Sequence, residues 1–179
     1  MQNEDKFRNI YDEFTNLVFN LSLHYVQNPE DAQDITQEVF VKVYQHYEKH
    51  DPVTASLKTW IYRITINHCL DFLRSRKSKK RFGFLTALFK HDTNEPLDGA
   101  MHFDHPGIKT EDKEELHHLL ALINQLPENQ RTAIILVRIE DRTQREVAEI
   151  MNTTVKAVES LLHRAKQTLE KKLKNSEGF

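Results

Sequence analysis

The sequence predicts an all-α protein made of two small helical domains joined by a flexible linker. Three of the four glycines and two of the five prolines fall within residues 83–107. On both sides of that segment the chain is almost free of helix breakers, and its apolar residues recur at helical spacing without strand-like alternation. We therefore expect a helical domain over residues 1–80, a linker over 81–111 and a second helical domain over 112–179.

The first domain is predicted to hold three helices, beginning with an amphipathic one. Its apolar residues lie three or four positions apart: Phe7, Ile10, Tyr11, Phe14, Leu17, Val18 and Leu21. The second helix has a clear start, because Asn28 can cap it and Pro29 suits the first helical position. Its buried stripe is predicted to be Ala32, Ile35, Val39, Val43 and Tyr47. The outer face then carries Asp31, Asp34, Gln37, Glu38 and Lys42.

The third helix is predicted to start near Ser56 and to run into the basic segment that follows. It has more apolar residues than a single buried stripe requires: Leu57, Trp60, Ile61, Tyr62, Ile64, Ile66, Cys69 and Leu73. Its polar residues are spaced so that they share one face: Thr59, Arg63, Asn67, Asp71 and Arg74. Cys69 is interpreted as a core residue rather than a redox sensor. The apolar segment 82–89 can dock as a short further helix within the linker.

Two segments of the second domain have the spacing of a helix-turn-helix, although an ordinary helical hairpin fits the same pattern. Residues 146–150 and 155–169 are periodic, and residues 151–154 separate them. Ala148 lets the helices cross closely, and Asn152 tolerates the left-handed backbone of the turn, where glycine is usual. The second helix is expected to bury Val155, Val158, Leu162, Ala165 and Leu169. Its outward residues, which can enter a major groove, are Thr154, Lys156, Ala157, Ser160, His163, Arg164 and Gln167.

The near-neutral charge of the chain, −2, is a cancellation between segments of opposite sign. Residues 1–50 hold nine acids and four bases, whereas residues 51–80 hold two acids and seven bases. Segments 81–111 and 112–152 carry −2 and −3, and the last 27 residues carry +3. Six bases lie within residues 74–81, after a helix that carries aromatic residues. Bases neutralise phosphates and aromatic rings stack on unpaired nucleobases, so the pattern indicates a nucleic-acid site and a separate acidic face, with solvated helix faces as the alternative.

Composition argues against several other classes of protein. A single cysteine rules out a disulfide framework and a cysteine-based zinc site within the chain. The longest aliphatic run, 133–137, is far too short for a membrane span, and no secretory signal is visible, so a cytoplasmic location is expected. Four histidines lie in or near the linker: His102, His105, His117 and His118. They have no clear cysteine or carboxylate partner and no catalytic motif is found, so we expect no metal, no cofactor and no enzyme.

Nearly the whole chain resembles the sigma-70 family of RNA polymerase sigma factors, in the extracytoplasmic-function (ECF, group IV) subfamily. Residues 28–40 (NPEDAQDITQEVF) resemble the core-binding helix of region 2. Residues 57–74 (LKTWIYRITINHCLDFLR) resemble its promoter-melting and minus-ten-reading helix. The segment from 126–131 (LPENQR) to 162–165 (LHRA) resembles region 4. The order and spacing of these motifs, without region 3, carry the resemblance.

The resemblance implies a dissociable subunit that binds core polymerase, reads the minus-ten and minus-thirty-five promoter elements and directs transcription initiation. The β′ clamp helices would bind Asp31, Asp34, Gln37, Glu38 and Phe40. The unwound non-template minus-ten strand, with one base flipped out, would be held by the loop 51–55 and by Lys58, Thr59, Trp60, Tyr62, Arg63, Asn67, Arg74, Arg76 and Lys77. The duplex minus-thirty-five element would be read by Thr154, Lys156, Ala157, Ser160, His163, Arg164, Lys166 and Gln167. The family often has threonine, lysine and arginine where Ala157, Glu159 and Leu161 stand here, so its usual promoter sequence is not expected.

The resemblance also implies further partners. These are the β flap of core polymerase and an anti-sigma factor, which in this family can be membrane-tethered and would then hold the chain at the inner membrane face. Two alternatives stay open. One is a helix-turn-helix DNA-binding regulator that acts without core polymerase, and the other is a protein-only adaptor that has lost DNA reading.

Overall fold

The computed structural model describes residues 2–89 and 118–176, and all regular structure in these two ranges is helical. The N-terminal part contains α1 (Gln2–Val26), α2 (Pro29–His46), a 3-10 turn (Tyr47–Lys49) and α3 (Leu57–Phe89). The C-terminal part contains α4 (118–124), α5 (Glu128–Ile134), α6 (Gln144–Ile150) and α7 (Val155–Ser176). A π-helical turn, Ile135–Ile139, continues α5. The predicted all-α class is confirmed.

The starts of α2 and α3 follow signals in the sequence. Asn28 Oδ1 accepts a hydrogen bond from the Asp31 N–H at 2.9 Å, and Pro29 occupies the first helical position. Ser56 Oγ accepts from the Thr59 N–H at 3.1 Å. Each cap satisfies a backbone donor that has no partner inside its helix, which fixes where the helix begins.

Helix α3 continues further than the sequence predicts. Its backbone is helical through Phe89, so residues 81–89, predicted as linker, extend α3 instead of forming a separate short helix. The rest of the predicted linker lies outside the described residues, as do His102, His105 and His117.

The N-terminal core lies between α1, α2 and α3. It includes Phe14, Val18, Leu21, Ala32, Ile35, Val39, Val43, Ile61 and Ile66. The predicted stripe of α2 is confirmed apart from its last member, because Tyr47 is only half-buried and packs on the edge of this core. Cys69 is fully buried, and burial raises the pKa of its thiol to about 12. Its interpretation as a core residue is therefore confirmed.

The two parts of the chain pack against each other through what we call the domain contact, the hydrogen-bonded surface between α1 and α3 on one side and residues 124–150 on the other. Near its centre the buried Tyr25 hydroxyl donates to Thr132 Oγ1 at 2.9 Å, and Asn124 Nδ2 donates to the Tyr25 carbonyl at 3.1 Å. At one side Glu140 accepts from Tyr62 at 3.3 Å and lies 2.9 Å from His24 Nδ1. The excess apolar surface of α3 is accounted for, since that helix is covered on two sides.

Replacing Tyr25 by phenylalanine is expected to lower the free energy of unfolding by about 1–3 kcal/mol, because it leaves the Thr132 hydroxyl buried without its donor. Urea denaturation of the two proteins measures the difference. Tyr11→Phe is the matched control, since Tyr11 is 43% exposed. Equal effects of the two substitutions would contradict a role for this hydrogen bond in stability.

Candidate polymerase and nucleic-acid interface

The outer face of α2 presents polar and acidic side chains to solvent. Asp34, Gln37 and Glu38 are all exposed. Glu38 Oε2 lies 3.4 Å from His68 Nδ1, and burial lowers the pKa of that histidine, so the pair adds little attraction at neutral pH. We call Asp34, Gln37 and Glu38 the acidic face, and it is free to meet a basic protein surface.

Two residues predicted to belong with this face are placed differently. Asp31 is half-buried and pairs with Arg76, whose Nη1 lies 3.2 Å from Asp31 Oδ2. Phe40 is a core residue rather than a surface contact, since it is 3% exposed and its ring lies 4.6 Å from that of Tyr11. The helical spacing of α2 carries the signal for burial of Phe40, because it lies four residues after the buried Thr36 and three before the buried Val43.

The polar face of α3 is turned toward the C-terminal part. Arg63 Nε and Nη2 donate to the carbonyls of Ile150 at 3.2 Å and Glu149 at 2.6 Å. These carbonyls end α6, where helical acceptors lack internal partners and the helix dipole attracts a cation. Arg74 Nε and Nη2 donate to the two carboxylate oxygens of Glu128, at 2.9 and 2.6 Å. With Arg76, which pairs with Asp31, three arginines predicted to bind the minus-ten strand are thus engaged within the chain.

The other predicted minus-ten residues differ in exposure. Tyr62 is 2% exposed and bonded to Glu140, so it is closed to DNA in this arrangement. Trp60 is half-buried, with its ring 5.1 Å from that of His50. Asn67 lines a cavity of about 320 Å³ between α3 and the end of α6. Lys58 and Lys77 are exposed, and Thr59 is half-buried.

The loop before α3 is held by Asp51. Its carboxylate accepts from the Val53 N–H at 2.9 Å and from the Thr54 hydroxyl at 2.7 Å. These hydrogen bonds lower the pKa of Asp51, because they favour its charged form. The loop is therefore ordered by its own side chains, with the large Val53 side chain 93% exposed.

The predicted helix-turn-helix is formed by α6 and α7. Thr143 and Glu146 make a reciprocal capping box at the start of α6. In the turn, Asn152 has φ 51°, the left-handed conformation that the sequence predicts for it. The Thr153 N–H donates to the Ala148 carbonyl at 2.8 Å, and Ala148 is buried where the helices cross. The predicted register of the motif is confirmed at these positions.

Helix α7 presents most of the predicted DNA-reading residues outward. Exposed residues are Thr154, Lys156, Ser160, His163, Arg164, Lys166 and Gln167. Ala157 is half-buried, and Thr154 Oγ1 also caps the helix by accepting from the Ala157 N–H at 3.2 Å. Val158 and Ala165 are buried as predicted, but Val155 is 41% exposed because it sits at the first position of α7, beside the turn.

The loop before α3 and the helix-turn-helix turn line one groove of about 840 Å³. Val53 and Thr54 lie on one wall, Asn152 and Thr154 on the other, and Arg63 between them. Elements expected to read two distant parts of a promoter therefore face the same space.

Lowering the pH is expected to loosen the domain contact, because the hydrogen bond from Arg74 lowers the pKa of Glu128 below its ordinary value of 4.5. A carboxyl with a lowered pKa contributes fully above that ordinary value, and its contribution is lost as the pH falls through the lowered one. The radius of gyration from small-angle X-ray scattering should rise between about pH 5 and pH 3 while helix content is retained. Glu128→Gln should show a smaller rise than the control Glu170→Gln, and identical curves would contradict this role.

Several residues of the domain contact carry no warning in the sequence. Glu128 stands in the first turn of α5, where an acid is already explained by the helix dipole, and Glu140 follows the π-helical turn. Their partners lie 54 and more residues away, beyond any local periodicity.

In the two described ranges no group of three or more metal-ligating side chains is found, and His118 is exposed. Nor is any helix of those ranges long and apolar enough to cross a bilayer.

The fold and the site define an all-α, helix-turn-helix protein with an additional N-terminal helical bundle. The Sigma-70 region 2 family matches residues 10–79, and the Sigma-70, region 4 family matches residues 116–169. Together these matches span most of the chain, and the chain belongs to the ECF subfamily of the sigma-70 RNA polymerase sigma factors.

Individual relatives agree with that assignment. The ECF RNA polymerase sigma factor SigW of Bacillus subtilis is 28% identical over 176 residues, which cover 96% of this chain and 91% of SigW. RNA polymerase sigma factor SigV of the same organism is 33% identical over 148 residues, covering 82% of this chain and 78% of SigV. The co-crystal structure of the sigma factor RpoE with the anti-sigma factor NepR from Bartonella quintana has a TM-score of 0.63 at 18% identity, covering 94% of this chain and 97% of RpoE. This last likeness shows the fold.

Proposed function

We propose that the chain acts as a dissociable specificity subunit that binds core RNA polymerase through its acidic face and then reads a promoter with α3 and α7. Membership of the ECF sigma factors supports the overall activity. The observation that carries the residue assignments is the contrast between two surfaces. The acidic face is exposed, whereas Arg63 and Arg74 of the predicted strand-binding face are hydrogen-bonded to the C-terminal part of the chain.

Simultaneous promoter reading requires the domain contact to open. Elements named for positions minus ten and minus thirty-five are about 25 base pairs apart, or about 85 Å along duplex DNA. In the closed arrangement the two reading elements share one groove. We propose that separation frees Arg63 and Asn67 for the unwound strand, while α7 enters the major groove of the upstream duplex.

The minus-ten site would combine a basic helix with a stacking ring. Lys58 and Lys77 are exposed for phosphate contacts, and Trp60 lies half-exposed beside the loop held by Asp51. Extruding one base costs a few kcal/mol, which contacts of this loop and of Asn67 would offset. We assign catalysis of RNA synthesis to the core polymerase and none to this chain.

We further propose an anti-sigma factor as a negative partner. The RpoE comparison concerns a sigma factor bound to its anti-sigma factor, and a partner that stabilised the domain contact here would keep both reading elements in one groove. A membrane anchor on that partner would hold the chain at the membrane surface. A second partner contact, between the C-terminal part and the β flap, follows from the family alone.

The proposal is tested with purified chain and core polymerase. We expect a complex on a size-exclusion column and initiation at a discrete promoter, whereas the chain alone should bind duplex promoter DNA weakly. Tight duplex binding without core would favour a DNA-binding regulator instead. Absence of a core complex would refute the proposed function.

A further inference from the structure

A second groove lies on another side of the domain contact; it shares Arg74 and Lys77 with the proposed strand-binding face, but its other lining residues have no role in the function proposed above. It lies between the middle of α3, the segment from α4 to α5, and α7, and its volume is about 720 Å³. Its lining residues are Leu73, Arg74, Lys77, Asn124, Gln125, Leu126, Pro127, Glu128, Arg131 and Lys172. We call it the basic groove. Its volume is that of a site for a small organic molecule.

The lining of the basic groove is strongly positive. Among the described residues that line it, four are cations, Arg74, Lys77, Arg131 and Lys172, and one is an acid, Glu128. Glu128 is already held by Arg74 at 2.6 and 2.9 Å, and Lys172 Nζ donates to Gln125 at 2.8 Å. The groove therefore has an excess of positive charge that no acid lining it neutralises.

Arg131 is the most informative of these cations. It is 8% exposed, and its Nε is buried with no hydrogen-bond partner among the described residues. Burial lowers the pKa of its guanidinium, against the opposing influence of Tyr25 and Glu128. A guanidinium nitrogen that is buried without an acceptor destabilises a fold, and a ligand oxygen that accepted from it would remove that cost.

We propose that the basic groove binds a small anion with a diphosphate group, with Arg131 at its floor and Lys77 and Lys172 at its rim. A guanidinium matches phosphate oxygens with paired hydrogen bonds, and lysines add point charges. Leu73, Leu126 and Pro127 supply apolar wall. The buried Asn124 Oδ1, which has no partner among the described residues, is an acceptor that could meet an N–H or hydroxyl of a nucleoside but not a phosphate oxygen. The ligand is thus either free pyrophosphate or a nucleoside diphosphate.

The depth of Arg131 favours a small ligand over promoter DNA. A DNA backbone reaches cations that protrude, whereas Arg131 is more than nine-tenths buried between the two parts of the chain. Since α3 supplies one wall and α4, α5 and α7 supply the rest, a bound anion would bridge the domain contact. The anion would bind more tightly when the two parts of the chain are in contact than when they are apart. It would consequently stabilise the closed arrangement, in which the domain contact is formed.

Isothermal titration calorimetry on the full chain tests the proposal, with pyrophosphate, guanosine diphosphate and sulfate as probes at matched ionic strength. We expect one saturable site for at least one diphosphate and no comparable site for sulfate. Stronger binding of guanosine diphosphate would identify a nucleotide site, and stronger binding of pyrophosphate a site for the free anion. Equal affinity for sulfate, or no saturation by either diphosphate, would overturn the proposal.

Matched variants distinguish binding in the basic groove from nonspecific attraction of an anion to positive charge. Lys77→Gln with Lys172→Gln should weaken diphosphate binding at least about tenfold, whereas Lys171→Gln, an exposed lysine of α7 outside the groove, should not. Equal weakening by the double variant and by the control would overturn the proposal. Displacement of the bound diphosphate by duplex promoter DNA would overturn it too.

Arg131→Met tests the floor of the groove through stability. Without ligand its melting temperature should match or exceed that of the wild type, because the substitution removes a desolvated guanidinium whose Nε has no acceptor among the described residues, and diphosphate should no longer raise it. If Arg131→Met instead unfolds, the lysine pair decides: retained diphosphate affinity in that double variant overturns the proposal, and loss of affinity with an unchanged melting temperature supports it.

Discussion

Replacing Asp34 and Glu38 together by lysine is expected to abolish the complex with core polymerase, weakening it at least about 100-fold. Both side chains are exposed, and the neighbouring His68 has a lowered pKa, so the fold should lose little. The affinity falls because reversing two charges on an acidic docking face puts like charges together, at a cost of several kcal/mol. Fluorescence anisotropy of the labelled chain, titrated with core polymerase, measures the change.

The matched control reverses two acids that lie elsewhere. Asp12→Lys with Glu13→Lys changes the net charge by the same amount on the exposed face of α1. Equal weakening by the two double variants would point to long-range charge attraction and would contradict a specific docking face. Circular dichroism melts of both proteins exclude unfolding as the cause.

Replacing Arg63 and Asn67 together by alanine is expected to reduce promoter opening about 100-fold while leaving the affinity for core polymerase unchanged. The physical reason is the loss of one charged and one amide partner for the unwound strand, with a charged hydrogen bond contributing about 1.5–3 kcal/mol. Permanganate footprinting of unpaired thymines reports opening, and anisotropy reports core binding. Arg138→Ala serves as control, since Arg138 is exposed. Parallel loss of both activities would refute the assignment.

The two single variants should differ in shape. Arg63 donates two hydrogen bonds to the end of α6, whereas the Asn67 side chain lines a cavity and donates none to the described residues. Arg63→Ala is therefore expected to increase the radius of gyration of the free chain, and Asn67→Ala is not. An identical radius for both variants would show that the arginine does not hold the parts together.

Local chemistry predicted much of this fold because the features concerned depend on neighbouring residues. Asn28 caps α2, Asn152 adopts the left-handed turn, and Cys69 is buried, each as the adjacent sequence indicates. The predictions of burial fail at two residues whose exposure depends on their position in a helix. Val155 is exposed at the first position of α7, and Phe40 is buried although it was grouped with the acidic residues around it.

The domain contact could not be derived in detail from the sequence. Tyr25 and Thr132 are 107 residues apart, so their hydrogen bond depends on tertiary packing. The same holds for the pairing of Arg74 with Glu128. One sign was present: α3 carries more apolar residues than one buried stripe needs. That surplus predicts a second packing surface without naming its partner.

A single guanidinium cannot bind two acceptor sets at once, and this makes Arg63 a competitive element. If it must leave the carbonyls of Glu149 and Ile150 before it meets DNA, promoter affinity is scaled by the fraction of molecules that are open. With about 1% open, for instance, the apparent dissociation constant would be about 100 times the intrinsic one. The strength of two hydrogen bonds at the end of a seven-residue helix would thus set the cellular concentration of this protein at which transcription from its promoters begins.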